Sequence, residues 1–159
     1  MENIKVAIVE DNPFLREGLT YLLNDSIGFQ CVGAYPNAEH IIDHIGRDAP
    51  DIVLMDIGLP SKMNGIEATK HLKAHFPKLS ILIQTVREDS FSIFSAFKAG
   101  ASGYLLKNLP PNQLLQSIRA TFEGHLPKML PHIAQKWIGF GNALSIFFVI
   151  KKLLIPMTI

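Results

Sequence analysis

Along the first 124 residues, short apolar runs alternate with stretches in which apolar side chains recur every three or four positions. Ile4-Lys5-Val6-Ala7-Ile8-Val9 is rich in β-branched residues and predicts a strand. Glu10-Asp11-Asn12-Pro13 follows at once, and Asp or Asn as N-cap with Pro in the first turn predicts a helix start. Phe14, Leu15, Leu19, Leu22 and Leu23 continue it at helical spacing. Gln30 to Tyr35 reads as a second strand, and Asn37 caps a helix carrying Ile41, Ile42 and Ile45. Asp51-Ile52-Val53-Leu54-Met55-Asp56 reads as a third strand, apolar on both faces in its middle, as a central parallel strand requires. Helix Ile66–His75, strand Ser80–Thr85, helix Asp89–Ala99, strand Ser102–Leu106 and helix Asn112–Glu123 complete five βα units. The alternation predicts an α/β fold, a doubly wound five-stranded parallel sheet with helices on both faces.

Composition adds a boundary. The 159 residues are 48% hydrophobic and include ten Phe, enough to bury a core. The single cysteine, Cys31, excludes an intramolecular disulfide and reads as a small buried strand residue. The start MENIKVAIVEDN has no basic region leading into a longer apolar run, so no signal peptide is expected and the expected location is cytoplasmic. All 14 acids and 11 of the 15 Lys and Arg precede residue 125, a net of −3. Beyond it stand Lys128, Lys136, Lys151 and Lys152 with no acid, a net of +4. Residues 1–124 are therefore expected to form the domain and 125–159 a tail. In that tail, Ala143 to Ile150 is an apolar run cut by Lys151-Lys152 and closed by Pro156, short of the roughly 20 residues a membrane span needs.

In such sheets ligands sit outside the carboxyl ends of the strands. Those ends carry Glu10-Asp11, Asp56, Thr85 and Lys107. Three carboxylates that converge repel one another and need a cation to remain ionised together. Oxygen ligands of this kind suit a hard ion such as Mg²⁺, commonly shared with phosphate. A lysine and a hydroxyl are then placed to meet phosphoryl oxygens. Taken singly, each residue has a plainer reading: Glu10-Asp11 as helix caps, Thr85 as a strand terminus, Lys107 as a solvated lysine, Tyr104 as packing. Their joint placement favours a site. Elsewhere, His40 and His44 are spaced for a metal but lack a third ligand and read as a helix face. Phe91, Phe94 and Phe97 share helical spacing and read mostly as core.

Val9-Glu10-Asp11, Met55-Asp56 with Pro60 after it, Gln84-Thr85 and the string Ala99-Gly100-Ala101-Ser102-Gly103-Tyr104-Leu105-Leu106-Lys107 stand in order at successive strand ends. The chain thereby resembles, over about residues 3–124, the CheY-like receiver domain of two-component response regulators, a flavodoxin-like fold. Within that family it is similar to receivers that carry a LuxR/NarL-type helix-turn-helix output. The resemblance implies that Asp56 is the nucleophile that takes a phosphoryl group from the phosphohistidine of a sensor histidine kinase. It implies Mg²⁺ as cofactor, with Asp11, Asp56 and the Gly58 carbonyl as ligands and Glu10 acting through a water. It implies that Lys107 pairs with a phosphoryl oxygen, that Thr85 moves to hydrogen-bond the group, and that Tyr104 swings inward behind it. Gly58 and Arg87 occupy positions that modulate autodephosphorylation in this family.

Such a protein is a signalling switch that catalyses its own phosphorylation and dephosphorylation, not a metabolic enzyme, and it forms a homodimer on phosphorylation. Two departures stand out. Gly65 lies nine residues after Asp56 where the family has eight, and Glu10 replaces a common Asp. Residues 123–136 resemble the linker that leads to the DNA-binding domain, but the chain beyond does not match it, so no complete output domain, no nucleic-acid binding and no membrane span are expected. The alternatives are a metal-dependent phosphatase, for which Ile57-Gly58 supplies no second acid, and a phosphorylation-independent pseudo-receiver that only binds protein.

Overall fold

The computed structural model describes residues 2–87 and 89–124. Strands and helices alternate through them as β1 (Ile4–Val9), α1 (Pro13–Asp25), β2 (Phe29–Tyr35), α2 (Ala38–Asp48), β3 (Ile52–Met55), α3 (Gly65–His75), β4 (Ser80–Thr85), α4 (Ser90–Lys98), β5 (Gly103–Leu106) and α5 (Pro111–Phe122). Four helices open on a side chain that takes up their free N–H groups. Asn12 accepts from Phe14 and Leu15, Asn37 from His40, Asn64 from Ile66 and Glu67, and Asp89 from Ser92. Helix α5 opens instead on Pro110-Pro111, with Pro in a position whose missing N–H costs nothing.

All four strand pairs are parallel, and the order across the sheet is β2-β1-β3-β4-β5. Alternation along the strands divides the core in two. Ile4, Val6, Ile8, Ile52, Leu54, Leu82 and Leu105 point to one face, under Leu19 and Leu23 of α1 and Leu114 and Ile118 of α5. Ala7, Val9, Val53, Met55, Ile81, Ile83, Tyr104 and Leu106 point to the other, under Ile41 and Ile45 of α2, Leu72 of α3 and Ile93 of α4. Burying a Leu or Ile of this kind stabilises by about 1.5–3 kcal/mol, so either face outweighs any single polar contact. The predicted doubly wound sheet is the observed one.

Register sets the site. Val9 pairs with Met55, and Met55 with Ile83, so the residues that follow β1 and β3 emerge side by side. Between β1 and β3 the chain reverses its winding direction, which opens a crevice at that point.

Some expectations shift. Cys31 is half-buried, because β2 is an edge strand. Phe14 is 85% exposed although it falls within the apolar stretch of α1, since it lies off the face formed by Leu15, Leu19 and Leu23. Phe94 and Phe97 pack on the core as expected, whereas Phe91 is 70% exposed. His40 and His44 bond locally, to the Asn37 side chain and to the His40 carbonyl, and His44 stacks on Tyr35. Among the described residues no helix is long and apolar enough to cross a membrane. The expected linker remnant and apolar basic tail, 125–159, lie outside the described residues.

Candidate functional site at the carboxyl ends of the strands

Glu10 and Asp56 leave adjacent strands and remain buried, 2% and 5% exposed. Buried carboxylates need partners, and each has them. The Asn12 N–H donates to Glu10 Oε1 at 3.1 Å, and the Gly58 N–H donates to Asp56 Oδ1 at 3.0 Å. Lys107, reaching in from the end of β5, places Nζ 2.7 Å from Glu10 Oε2 and 3.0 Å from Asp56 Oδ2. Since Asn12 rather than Glu10 or Asp11 accepts the first N–H groups of α1, both acids are left to the crevice. Glu10, Asp11 and Asp56 each offer an oxygen, all within 4.8 Å of one another. That donor set fits one hard divalent cation of the Mg²⁺ kind.

The electrostatics agree with a site that wants positive charge. Burial pushes the Glu10 carboxyl above its ordinary value; the Asp56 charge adds to this, and Lys107 pulls the other way. Burial alone would lower the Lys107 ammonium, but its hydrogen bonds to Glu10 and Asp56 outweigh this and raise it, so it stays protonated. One ammonium thus faces a cluster of three carboxylates, and negative charge remains in excess.

Thr85 and Tyr104 form a second group. Thr85 is buried, and its Oγ1 accepts the Arg87 N–H at 3.2 Å. The Tyr104 hydroxyl donates to the Arg87 carbonyl at 2.9 Å. Both side chains are therefore tied to the backbone of one residue in the β4–α4 loop. Tyr104 is only 5% exposed, and burial raises its phenol above the ordinary value. It already points inward in this structure. The sheet joins this group to the first, since the Lys107 N–H donates to the Thr85 carbonyl at 2.9 Å.

Two contacts escape a reading of the sequence alone. Gly65 opens α3 against the backbone of Asp56: a Cβ there would lie 1.9 Å from the Asp56 carbonyl oxygen, and its N–H bonds the Ile57 carbonyl at 3.2 Å. In the loop before it, Ser61 Oγ donates to the Met63 carbonyl at 2.6 Å. Arg16 of α1 turns back to donate to the Glu10 carbonyl at 2.7 Å and the Asp11 carbonyl at 3.3 Å. A cation in the first turn of a helix, where the dipole opposes it, was the available signal.

Comparison with known proteins agrees with this geometry. The response regulator receiver domain family matches residues 6–119. The chain is 35% identical over 123 residues to the uncharacterised transcriptional regulatory protein YxjL of Bacillus subtilis, covering 77% of this chain and 56% of that one. It is 31% identical over 121 residues to the transcriptional regulatory protein DegU of Brevibacillus brevis, covering 76% and 51%. The chain thus spans about half the length of these curated relatives. A solved LuxR-family two-component response regulator from Aurantimonas sp. SI85-9A1 superposes with a TM-score of 0.78 at 36% identity, over 85% of this chain and 95% of that one. With Glu10, Asp11, Asp56 and Lys107 gathered in one crevice of the expected sheet, and a family match across most of the chain, the protein belongs to the response regulator receiver domain family.

Proposed function

We propose that this receiver accepts a phosphoryl group on Asp56 from the phosphohistidine of a sensor histidine kinase, with Mg²⁺ held by Asp11, Asp56 and the Gly58 carbonyl and by Glu10 through a water. The observation that carries the proposal is the Asp56 carboxylate itself, buried at the end of β3 yet in reach of Lys107 and of two further acids. An Asp56 oxygen attacks phosphorus, the P–N bond to the kinase imidazole breaks, and the departing nitrogen keeps the bonding electron pair. Bound Mg²⁺ supplies neutralisation of the phosphoryl oxygens in a loose transition state.

Everything else falls to the chain's own residues. The Gly58 N–H on Oδ1 and the Lys107 ammonium on Oδ2 fix the plane of the Asp56 carboxylate before any donor arrives. After transfer, Lys107 pairs with a phosphoryl oxygen while keeping its bond to Glu10. Thr85 exchanges the Arg87 N–H for the phosphoryl group, and this frees the loop that Tyr104 also holds. The new contacts bias a pre-existing alternative arrangement of β4 and α4, and the changed surface favours a homodimer. The chain is then a switch that catalyses its own modification. Gene regulation by the longer relatives extends to this protein only through the receiver that it shares with them.

Incubation of the chain with a small radiolabelled phosphodonor and Mg²⁺ tests the reading. Label is expected on the native chain, abolished by chelation and by Asp56→Asn. Persistent labelling of Asp56→Asn would place the nucleophile elsewhere, and an unlabelled native chain would favour the pseudo-receiver.

A further inference from the structure

Arg16 stands where a helix least favours a cation, in the first turn of α1, which carries no acid there. The side chain is half-buried and does not run out into water. Instead, Nη1 reaches back past the cap to the Glu10 carbonyl at 2.7 Å and the Asp11 carbonyl at 3.3 Å. Those two residues are consecutive, and consecutive side chains of a strand point to opposite faces. Bringing both carboxylates to the same spot requires the backbone to bend at Glu10, and a bend takes carbonyls out of the sheet ladder that need donors elsewhere. The Glu10 N–H stays tied to the Tyr35 carbonyl at 2.9 Å, and Arg16 supplies the donors on the carbonyl side. A local rule of helix chemistry is broken beside the site, where a compensating role is to be expected.

We infer that Arg16 is a positioning residue for the cation-binding carboxylates, holding the β1–α1 bend so that Glu10 and Asp11 face Asp56. The inference rests on the Mg²⁺ site of the proposed function. Positioning and charge have opposite signs here. A guanidinium near a cation site repels the ion, so if charge alone mattered its removal would tighten Mg²⁺ binding. Loss of the bend scatters the carboxylates and weakens it.

Calorimetric titration of the full chain with Mg²⁺, without a phosphodonor, separates the two. Arg16→Met keeps the length and removes both charge and donors; its Kd for Mg²⁺ is expected to rise about tenfold, the lower end of what outer-sphere partners of metal ligands contribute. Arg16→Lys keeps the charge without the planar fork and is expected to fall between. Metal-free melting of Arg16→Met is expected to stay within a few degrees of native, and labelling by a small phosphodonor to recover at saturating Mg²⁺. An unchanged or tighter Kd in Arg16→Met overturns the inference. Should that variant not fold, Arg16→Lys decides on the same criterion. A native chain that binds no Mg²⁺ removes the metal reading itself and this inference with it, whereas a native chain that binds normally beside an unaffected variant removes the inference alone.

Discussion

At Asp56 a single residue is asked to be both buried and charged. The sheet brings it to the end of β3, 5% exposed, where a polar side chain without partners is costly. Lys107 and the Gly58 N–H supply the hydrogen bonds that a buried carboxylate needs. Gly65 is as necessary for a different reason: the start of α3 passes so close to the Asp56 backbone that even a methyl group has no room. Gly65→Ala is accordingly expected to destabilise the fold by about 2–4 kcal/mol, the scale of overpacking against backbone that cannot yield. Urea unfolding followed by circular dichroism measures this, and a loss below about 1 kcal/mol would mean that α3 can shift aside. The sequence marks Gly65 as one residue later than the family spacing. In the structure Gly65 sits directly against the Asp56 backbone, and Ser61 bonds the Met63 carbonyl in the loop before it.

Elements were legible where side chains speak for themselves. The N-caps Asn12 and Asn37 place two helix starts where they are observed, and the expected starts at Asp89 and Asn112 fall one residue from Ser90 and Pro111. The ends of β3 were less so: Asp51 and Asp56 border the apolar run, and only pairing with β1 and β4 limits the strand to Ile52–Met55. Which of the phenylalanines would be buried was not legible either. Phe14 and Phe91 satisfy helical spacing yet face solvent, because a helix has two apolar-compatible flanks and only packing selects one. Helix α4 is short, and Asp89 both accepts the Ser92 N–H at 2.8 Å and bonds the Ser92 hydroxyl at 2.9 Å. These hydrogen bonds hold its carboxyl below the ordinary range. Asp89→Ala removes the cap and is expected to cost about 1 kcal/mol. Amide exchange of α4 should accelerate about fivefold while the central strands keep their protection; equal acceleration everywhere would show that α4 does not open on its own.

Across the whole molecule, the two groups at the strand ends are linked through the sheet rather than by direct side-chain contact. Glu10, Asp11, Asp56 and Lys107 form one cluster, Thr85 and Tyr104 another through Arg87, and the bond from Lys107 to the Thr85 carbonyl connects them. On the proposed reading, a phosphoryl group on Asp56 that recruits Thr85 would alter the β4–α4 surface, where Val86 and Phe91 are 77% and 70% exposed. Addition of Mg²⁺ and beryllofluoride, a phosphoryl mimic, is expected to double the solution mass by light scattering, with no change for Asp56→Asn. A mass that stays monomeric would show that the switch does not read out as self-association.

The sequence by itself determined the order of the elements, the parallel doubly wound sheet, the two-faced burial of its strands and the residues at their ends, because periodicity, caps and breakers are local properties of the chain. It also marked the change in charge at residue 124. Tertiary structure alone decided the rest: that Glu10 and Asp56 share one ammonium, that Thr85 and Tyr104 meet on the Arg87 backbone, that Gly65 touches Asp56, and that Arg16 braces the bend. Each of these is a contact between segments distant along the chain or a choice among side-chain directions that local spacing permits equally. Their energies arise only once the parallel register has set the strand ends level and burial has made an unpaired charge costly.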